Sequence, residues 1–302
     1  MNSGRVCPID YKIDSKLFKN INNINYETIY IAGGIYGNYF ALKSLVEMAK
    51  KDNAFIILNG DYHWFDYDYY SFLCIEDIIK DYMVLNGNVE KELLRNESTG
   101  CGCAYPNYVD DDVVKRSNHI HSCLKHNIQD NKIIAKISSR KEVCTIRLKD
   151  YLIGIRHGDE KSVAGWNCSN ISLRNNERQK EIINFMDSLQ LNVFATSHTC
   201  EPIMMYDENH IVINNGAAGM PNFNKSGEGV VTRISFSESI DRIYGSKVGE
   251  LYVDAVAIKY DNEAFIKWFE THWKKGTPAH ISYFDRILNG TGKSYKESIL
   301  KL

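Results

Sequence analysis

The chain has 302 residues, with 44% hydrophobic and 25% charged side chains and a net charge of −2 from 36 basic and 38 acidic groups. That is enough chain for one large α/β domain or two smaller ones, and its composition is that of a globular protein, not a disordered or fibrous one. The near-neutral balance argues against a nucleic-acid polyanion as the main partner, and no apolar run approaches the length that spans a membrane.

The stretch from Met1 to Asn20 is polar and lacks the apolar segment of a secretory signal, so the expected compartment is the cytoplasm. There the eight cysteines, at 7, 74, 101, 103, 123, 144, 168 and 200, stay reduced, and without a C-x-x-C pair they do not read as a zinc ribbon. Residues 28–33 form a strand-like apolar run. Leu42, Leu45, Val46 and Ala49 then repeat at helical spacing within Phe40 to Lys50. A strand over 54–59, a helix over about 71–80 and a strand over 82–86 continue the alternation, which predicts βαβ units.

Residues 97–140 break that rhythm. Asp110 to Asp112 supply an N-cap and negative charge for a helix running to about His126. Val143–Leu148 and Tyr151–Arg156, separated by Lys149-Asp150, predict a hairpin. A helix over about 174–189, a strand ending at His198, a strand from Ile211, a strand over Leu251–Tyr260 and a helix over Glu263–Trp273 complete the reading. The chain divides softly near residue 245, into a domain over 1–245 with a helical insertion at about 97–140 and a C-terminal extension over 246–302 packed on the core.

Three strands end in a small residue followed by a metal-capable side chain, Asp61 after Gly60, Asn88 after Gly87 and His198 after Ser197, and a fourth ends in Arg156 with His157 directly after it. Open α/β sheets gather ligands beyond the carboxyl ends of their strands, so these four residues are expected to meet. One carboxylate, one amide and two imidazoles suit a divalent first-row metal (Mn, Fe, Zn or Ni) without choosing among them. A fifth strand ends in Gly33-Gly34 and carries no ligand.

The order Gly60-Asp61, Gly87-Asn88, His157-Gly158, Ser197-His198-Thr199 and Asn215-Gly216 resembles the calcineurin-like metallophosphoesterases over about residues 28–220. The resemblance implies a four-layer α-β-β-α sandwich with a dinuclear metal centre at the strand ends. It implies Asp61, Asn88, His157 and His198 as the ligands of one metal, with Asn88 also part of the catalytic set. The departures fall on the other metal: the Asp-x-His positions match Gly34 and Tyr36, and the second histidine of Gly-His-x-His matches Cys200. Cys200 remains a metal-ligand candidate as a thiolate. The histidine that protonates the leaving group matches Val89, and loss of such an acid typically costs ~10²–10⁴ in rate. His63, two residues after Asp61, is the candidate catalytic helper or extra ligand, against the plainer alternative of a loop histidine. The expected function is therefore hydrolysis of a small phosphoester at an altered, mononuclear site, in a chain whose oligomeric state stays open. The alternative is a binding or regulatory protein that keeps the fold without the chemistry.

Smaller features receive structural readings. Asn38 caps the following helix, Arg156 faces away from the metal, and Tyr36 packs without a chemical role. The aromatic run Trp64 to Tyr70 is a packed cap or a contact surface before it is a stacking wall. Cys101 and Cys103 are buried thiols, and His119, Cys123 and His126 share a half-exposed helix face. Gly290-Thr-Gly-Lys-Ser294 lacks the first glycine and preceding strand of a phosphate loop.

Overall fold

In the computed structural model, described here for residues 3–302, two β-sheets face each other and helices cover their outer faces. The first two residues of the polar N-terminal stretch lie outside the described residues. Element order follows the periodicities of the sequence. After β1 (Ile21–Asn23) and β2 (Thr28–Ala32) come α1 (Tyr39–Lys51), β3 (Phe55–Asn59), α2 (Tyr69–Ile79) and β4 (Met83–Leu85). α3 (Asn88–Leu93) follows β4 directly, and the insertion carries α4 (Asp111–Asn127) and α5 (Asn131–Ser138). Then follow β5 (Val143–Leu148), β6 (Tyr151–Arg156), α6 (Asn176–Leu189), β7 (Val193–Thr196), β8 (Ile203–Tyr206) and β9 (Ile211–Asn214). The chain closes with β10 (Gly229–Ser235), β11 (Arg242–Val248), β12 (Leu251–Ile258), α7 (Asn262–His272), α8 (Pro278–Asn289) and β13 (Ile299–Lys301).

One sheet has the order β11-β12-β10-β2-β3-β4, the other β1-β5-β6-β7-β9-β8-β13. β2, β3 and β4 run parallel, as do β6, β7 and β9. Alternation assigns the two faces of each strand. Ile29, Ile31 and Ile57 meet Ile153, Ile155, Val193 and Ile213 between the sheets, while Tyr30, Ile56 and Leu58 turn outward onto Leu42, Leu45, Ile75 and Ile79 of α1 and α2. On the far side Ile182 and Met186 of α6 cover Phe194 and Val212. These four layers are the α-β-β-α sandwich expected from the sequence.

The helix starts are fixed by side-chain caps. Asn38 Oδ1 accepts the Ala41 N–H at 3.0 Å, and Asp110 Oδ1 accepts the Asp112 N–H at 2.8 Å. Each cap satisfies N–H groups that the first helical turn leaves without partners.

The boundary near residue 245 needs correction. Residue 245 lies within β11, and β12 sits between β11 and β10 inside the six-stranded sheet. The segment after 245 therefore supplies a sheet strand. Beyond it, α7 and α8 join the insertion helices in an apolar cluster over the strand ends, where Phe265, Phe269 and Ile287 meet Phe65, Ile120 and Leu124.

Candidate metal centre

β3 and β4 belong to one sheet and β6 and β7 to the other, so the site draws from both at their carboxyl edges. Asp61 and Asn88 arrive from the first, His157 and His198 from the second. The approach is close. Gly60 has φ +84°, and a Cβ there would lie 2.5 Å from both Gly87 Cα and His157 Nδ1. Only glycine permits that backbone and that contact. Asp61 itself is left-handed at φ 59°, which turns its carboxylate back over the strand ends.

Candidate ligand atoms of Asp61, His157 and His198 all lie within 4.8 Å of one another, and all three residues are buried. His157 Nδ1–H donates to the Asn59 carbonyl at 2.6 Å, leaving Nε2 to face Asp61 Oδ1 at 3.2 Å and Asn88 Oδ1 at 3.1 Å. His198 Nε2–H donates to the Cys103 carbonyl at 3.1 Å, and its buried Nδ1 has no hydrogen-bond partner. In both rings a backbone carbonyl fixes the tautomer and turns the other nitrogen inward, the outer-shell arrangement typical of metal-ligating histidines. An orphaned imidazole lone pair beside a carboxylate, a second inward nitrogen and an amide oxygen fits a divalent metal in donor type.

The electrostatics agree. Burial pushes the Asp61 carboxyl up, but His157 and then His198 outweigh it and hold Asp61 below its usual value. Burial pushes His157 down, and Asp61 raises it above its ordinary value. Burial, helped by His157, pushes His198 down to about 3, so its ring is neutral and available as a ligand at physiological pH.

Two expected participants are elsewhere. His63 is fully buried with both nitrogens taken: Nδ1 lies 2.8 Å from Asp66 Oδ2, Nε2 lies 3.0 Å from Glu76 Oε1, and the ring stacks on Phe72 at 3.7 Å. It is neither a ligand nor an acid facing the site, but a buried ion-pair partner under α2. Cys200 lines the same cleft, yet it stands outside the Asp61, His157 and His198 group. Its thiol lies against the Tyr36 hydroxyl, and burial pushes it up to about 11, so it is not the thiolate that a metal needs.

Tyr36 occupies the place where the first motif departs. A Cβ on Gly34 would meet the Tyr36 ring at 2.7 Å and its hydroxyl oxygen at 2.8 Å. The phenol therefore covers Gly34. Val89 is buried beside Asp61 and gives its backbone N–H to Asp61 Oδ1 at 3.3 Å. The cleft above the ligands holds about 140 Å³ and is walled by Trp64, Tyr105, Trp166 and Tyr283, with Tyr36 and Val89 below. Trp64 thus belongs to the cleft wall, whereas Tyr67, Tyr69 and Tyr70 of the same run are exposed.

Other residues behave as read from the sequence. Arg156 turns away from the centre and donates to the Tyr11 carbonyl at 2.8 Å. Cys101 and Cys103 are buried free thiols. His119 and His126 are exposed on α4.

Sequence reasoning passed over Glu90. Its carboxylate accepts the N–H groups of Asp61, Tyr62 and Gly87, each at 2.9 Å, and so ties the Asp61 turn to the start of α3. The signal was present: a glutamate three residues after the helix N-cap reaches back to the cap N–H. Asn59 was also missed, and Asn215 was read only as part of a motif. They link the sheets beneath the site through Ser197 Oγ, at 3.1 and 2.7 Å.

Among solved structures the chain is similar to a metallophosphoesterase from Sphaerobacter thermophilus, at 14% identity over 88% of this chain and 100% of that one, with a TM-score of 0.56. It is equally similar to a hypothetical protein from Pyrococcus horikoshii OT3, at 11% identity over 88% and 99% of the two chains, again with a TM-score of 0.56. No family model and no curated protein sequence matches the chain. The likeness is therefore one of fold: this chain has the metallophosphoesterase fold, with a candidate Asp/His/His metal site at its strand ends. Among the described residues no helix is long and apolar enough to cross a membrane.

Proposed function

We propose that the chain hydrolyses a small phosphoester at a single divalent first-row metal held by Asp61, Asn88, His157 and His198. The observation that carries this reading is the unpartnered His198 Nδ1, buried beside Asp61 and His157. A buried acceptor without a partner is costly unless something fills it. A divalent ion there supplies Lewis acidity toward a phosphoryl oxygen and an attacking water.

The chain's own residues set the limits of the reaction. Among the described residues no Lys or Arg lines the cleft; the nearby Arg286 is engaged by the carbonyls of Pro221 and Cys200, at 2.8 and 3.1 Å. Asn88 Oδ1 and Asp61 Oδ1 both lie within 3.2 Å of His157 Nε2, so three of the candidate donor atoms already converge. Proton supply to the leaving group is the weak point. Val89 has no proton to give. Burial pushes the Tyr36 phenol far above its usual value and the Cys200 thiol to about 11, so both hold their protons at neutral pH but release them poorly. Slow turnover follows, most readily with esters whose leaving group needs no protonation.

The test is metal content of the purified protein, followed by hydrolysis of bis(p-nitrophenyl) phosphate with Mn²⁺. The expected result is about one metal per chain, with metal and activity both lost in His198→Ala, the rate falling ~10²-fold or more. Unchanged activity in His198→Ala would refute the assignment. A second reading, a binding protein without turnover, is favoured by the Tyr36 ring over Gly34 and by Val89; it is selected if metal binds through His198 but no ester is cleaved.

A further inference from the structure

A second concavity, of about 620 Å³, opens between α1, α2 and α7 and shares no lining residue with the metal cleft. A single small-molecule site typically has this size. Its walls include Tyr39, Phe40, Tyr70 and Trp268, and its rim carries Asp68 and His272. No Lys or Arg lines it.

Its one lining carboxylate, Asp68, stands beside His272, Ser71 and Cys74. Asp68 caps α2 through Ser71 and pairs with His272 Nε2 at 2.8 Å. Gly37 forms part of the lining, and a Cβ there would lie 2.7 Å from Asp66 Oδ1 and 3.2 Å from Trp268 Cη2. Asp66 is 1% exposed; its Oδ2 binds His63, but its Oδ1 has no partner. An unpartnered carboxylate oxygen thus lies behind the bare Gly37 backbone, next to the indole. One of these rings already receives a cation from the chain itself: Lys43 Nζ stands 5.4 Å from the centroid of Tyr39.

Aromatic faces attract cations through the ring quadrupole, and carboxylates add to that attraction; among the described residues no Lys or Arg lines the groove to receive an anion or a phosphate. We propose that this groove binds a small organic cation, a methylated or protonated amine, whose head sits among Tyr39, Tyr70 and Trp268 and toward the carboxylates of Asp66 and Asp68. The aromatic walls take the hydrocarbon part of the same ligand. The site rests on the groove alone and does not depend on metal or hydrolysis.

The test is calorimetric titration of the full chain with choline and with its neutral isostere 3,3-dimethylbutan-1-ol. Choline is expected to bind saturably and about tenfold or more tightly than the isostere. Tyr70→Ala, a change at a side chain that is 76% exposed, is expected to weaken choline several-fold while leaving the melting temperature in place. Asp68→Asn, which keeps the cap on α2, is expected to weaken choline without affecting the isostere. Equal affinity for choline and the alcohol, no saturable choline binding up to about 50 mM, or unchanged affinity in both variants would overturn the proposal.

Discussion

His63 gives a quantitative test of how the fold is held near the site. Its ring lies fully buried between Asp66 and Glu76, and Glu76 also meets Arg140 Nη2 at 2.6 Å and Lys136 Nζ at 2.9 Å. Burial alone disfavours the imidazolium, but the hydrogen bonds to Asp66 and Glu76 outweigh it and raise the folded value from 6.5 to about 9. A group raised on folding contributes stability that is fully present below the unfolded value and is lost as pH rises through the folded one. The window for His63 is therefore pH 6.5 to about 9. At 1.36 kcal/mol per unit, the shift is worth about 3 kcal/mol. The perturbation is His63→Gln, which keeps a polar group of similar size but does not titrate. The assay is urea unfolding of metal-free protein and variant from about pH 6 to about pH 10. Subtracting the variant removes every other titrating group. The stability difference should shrink by about 3 kcal/mol across that range. A difference that stays constant would show that the His63 value is not raised on folding, and one that grows with pH would show a ring kept neutral in the fold; either would overturn the ion-pair reading.

Two further predictions concern buried carboxylates. Glu90→Gln loses the charge on three N–H···O bonds around the Asp61 turn and should lower metal affinity by about 10–100-fold, read by competition with a chelator, while the far-ultraviolet circular dichroism is unchanged. Arg178 holds Glu160 through two short bonds, at 2.7 and 2.6 Å, and both residues are buried. Arg178→Met strands that charge and should destabilise the fold by about 3–5 kcal/mol in urea unfolding at neutral pH.

The layers were legible because they are written in local periodicity. Leu42, Leu45 and Ala49 mark α1 at helical spacing, and Ile29 and Ile31 mark the inner face of β2. β10 escaped the same reading. All seven of its residues are buried, yet Thr232, Arg233 and Ser235 are polar, so no alternation shows. Their partners come from far along the chain: Ser235 Oγ meets Thr28 Oγ1 at 2.8 Å, and Arg233 Nε meets Asp52 Oδ2 at 3.1 Å. His63 failed for a related reason. Asp61-Tyr62-His63 has the spacing of a ligand pair, but the ring is claimed by Glu76, 13 residues away on α2. A motif fixes spacing, and the packing around it decides which way a side chain points.

The same reasoning changes what the departures at the second half of the site mean. Gly34 and Tyr36 lie two residues apart and Cys200 far along the chain, and in the sequence they read as separate losses. In the fold they form one contact: the missing side chain of Gly34 is the space that the Tyr36 ring fills, and the Tyr36 hydroxyl meets the Cys200 thiol. Tyr36 reaches that place from a left-handed backbone, φ 57°, next to Gly34 at φ 69°. A side chain at Gly34 would require both the strained conformation and displacement of the ring. A change at any one of the three therefore disturbs the other two, because each is packed against another. The half that keeps its ligands has the opposite character. Its two rings are oriented by the backbone carbonyls of Asn59 and Cys103, and the N–H groups of the Asp61 turn are held by Glu90, whether or not an ion is bound. The two sides of Asp61 thus differ in kind: side-chain packing fills one, and hydrogen-bond preorganisation orients the candidate ligands of the other.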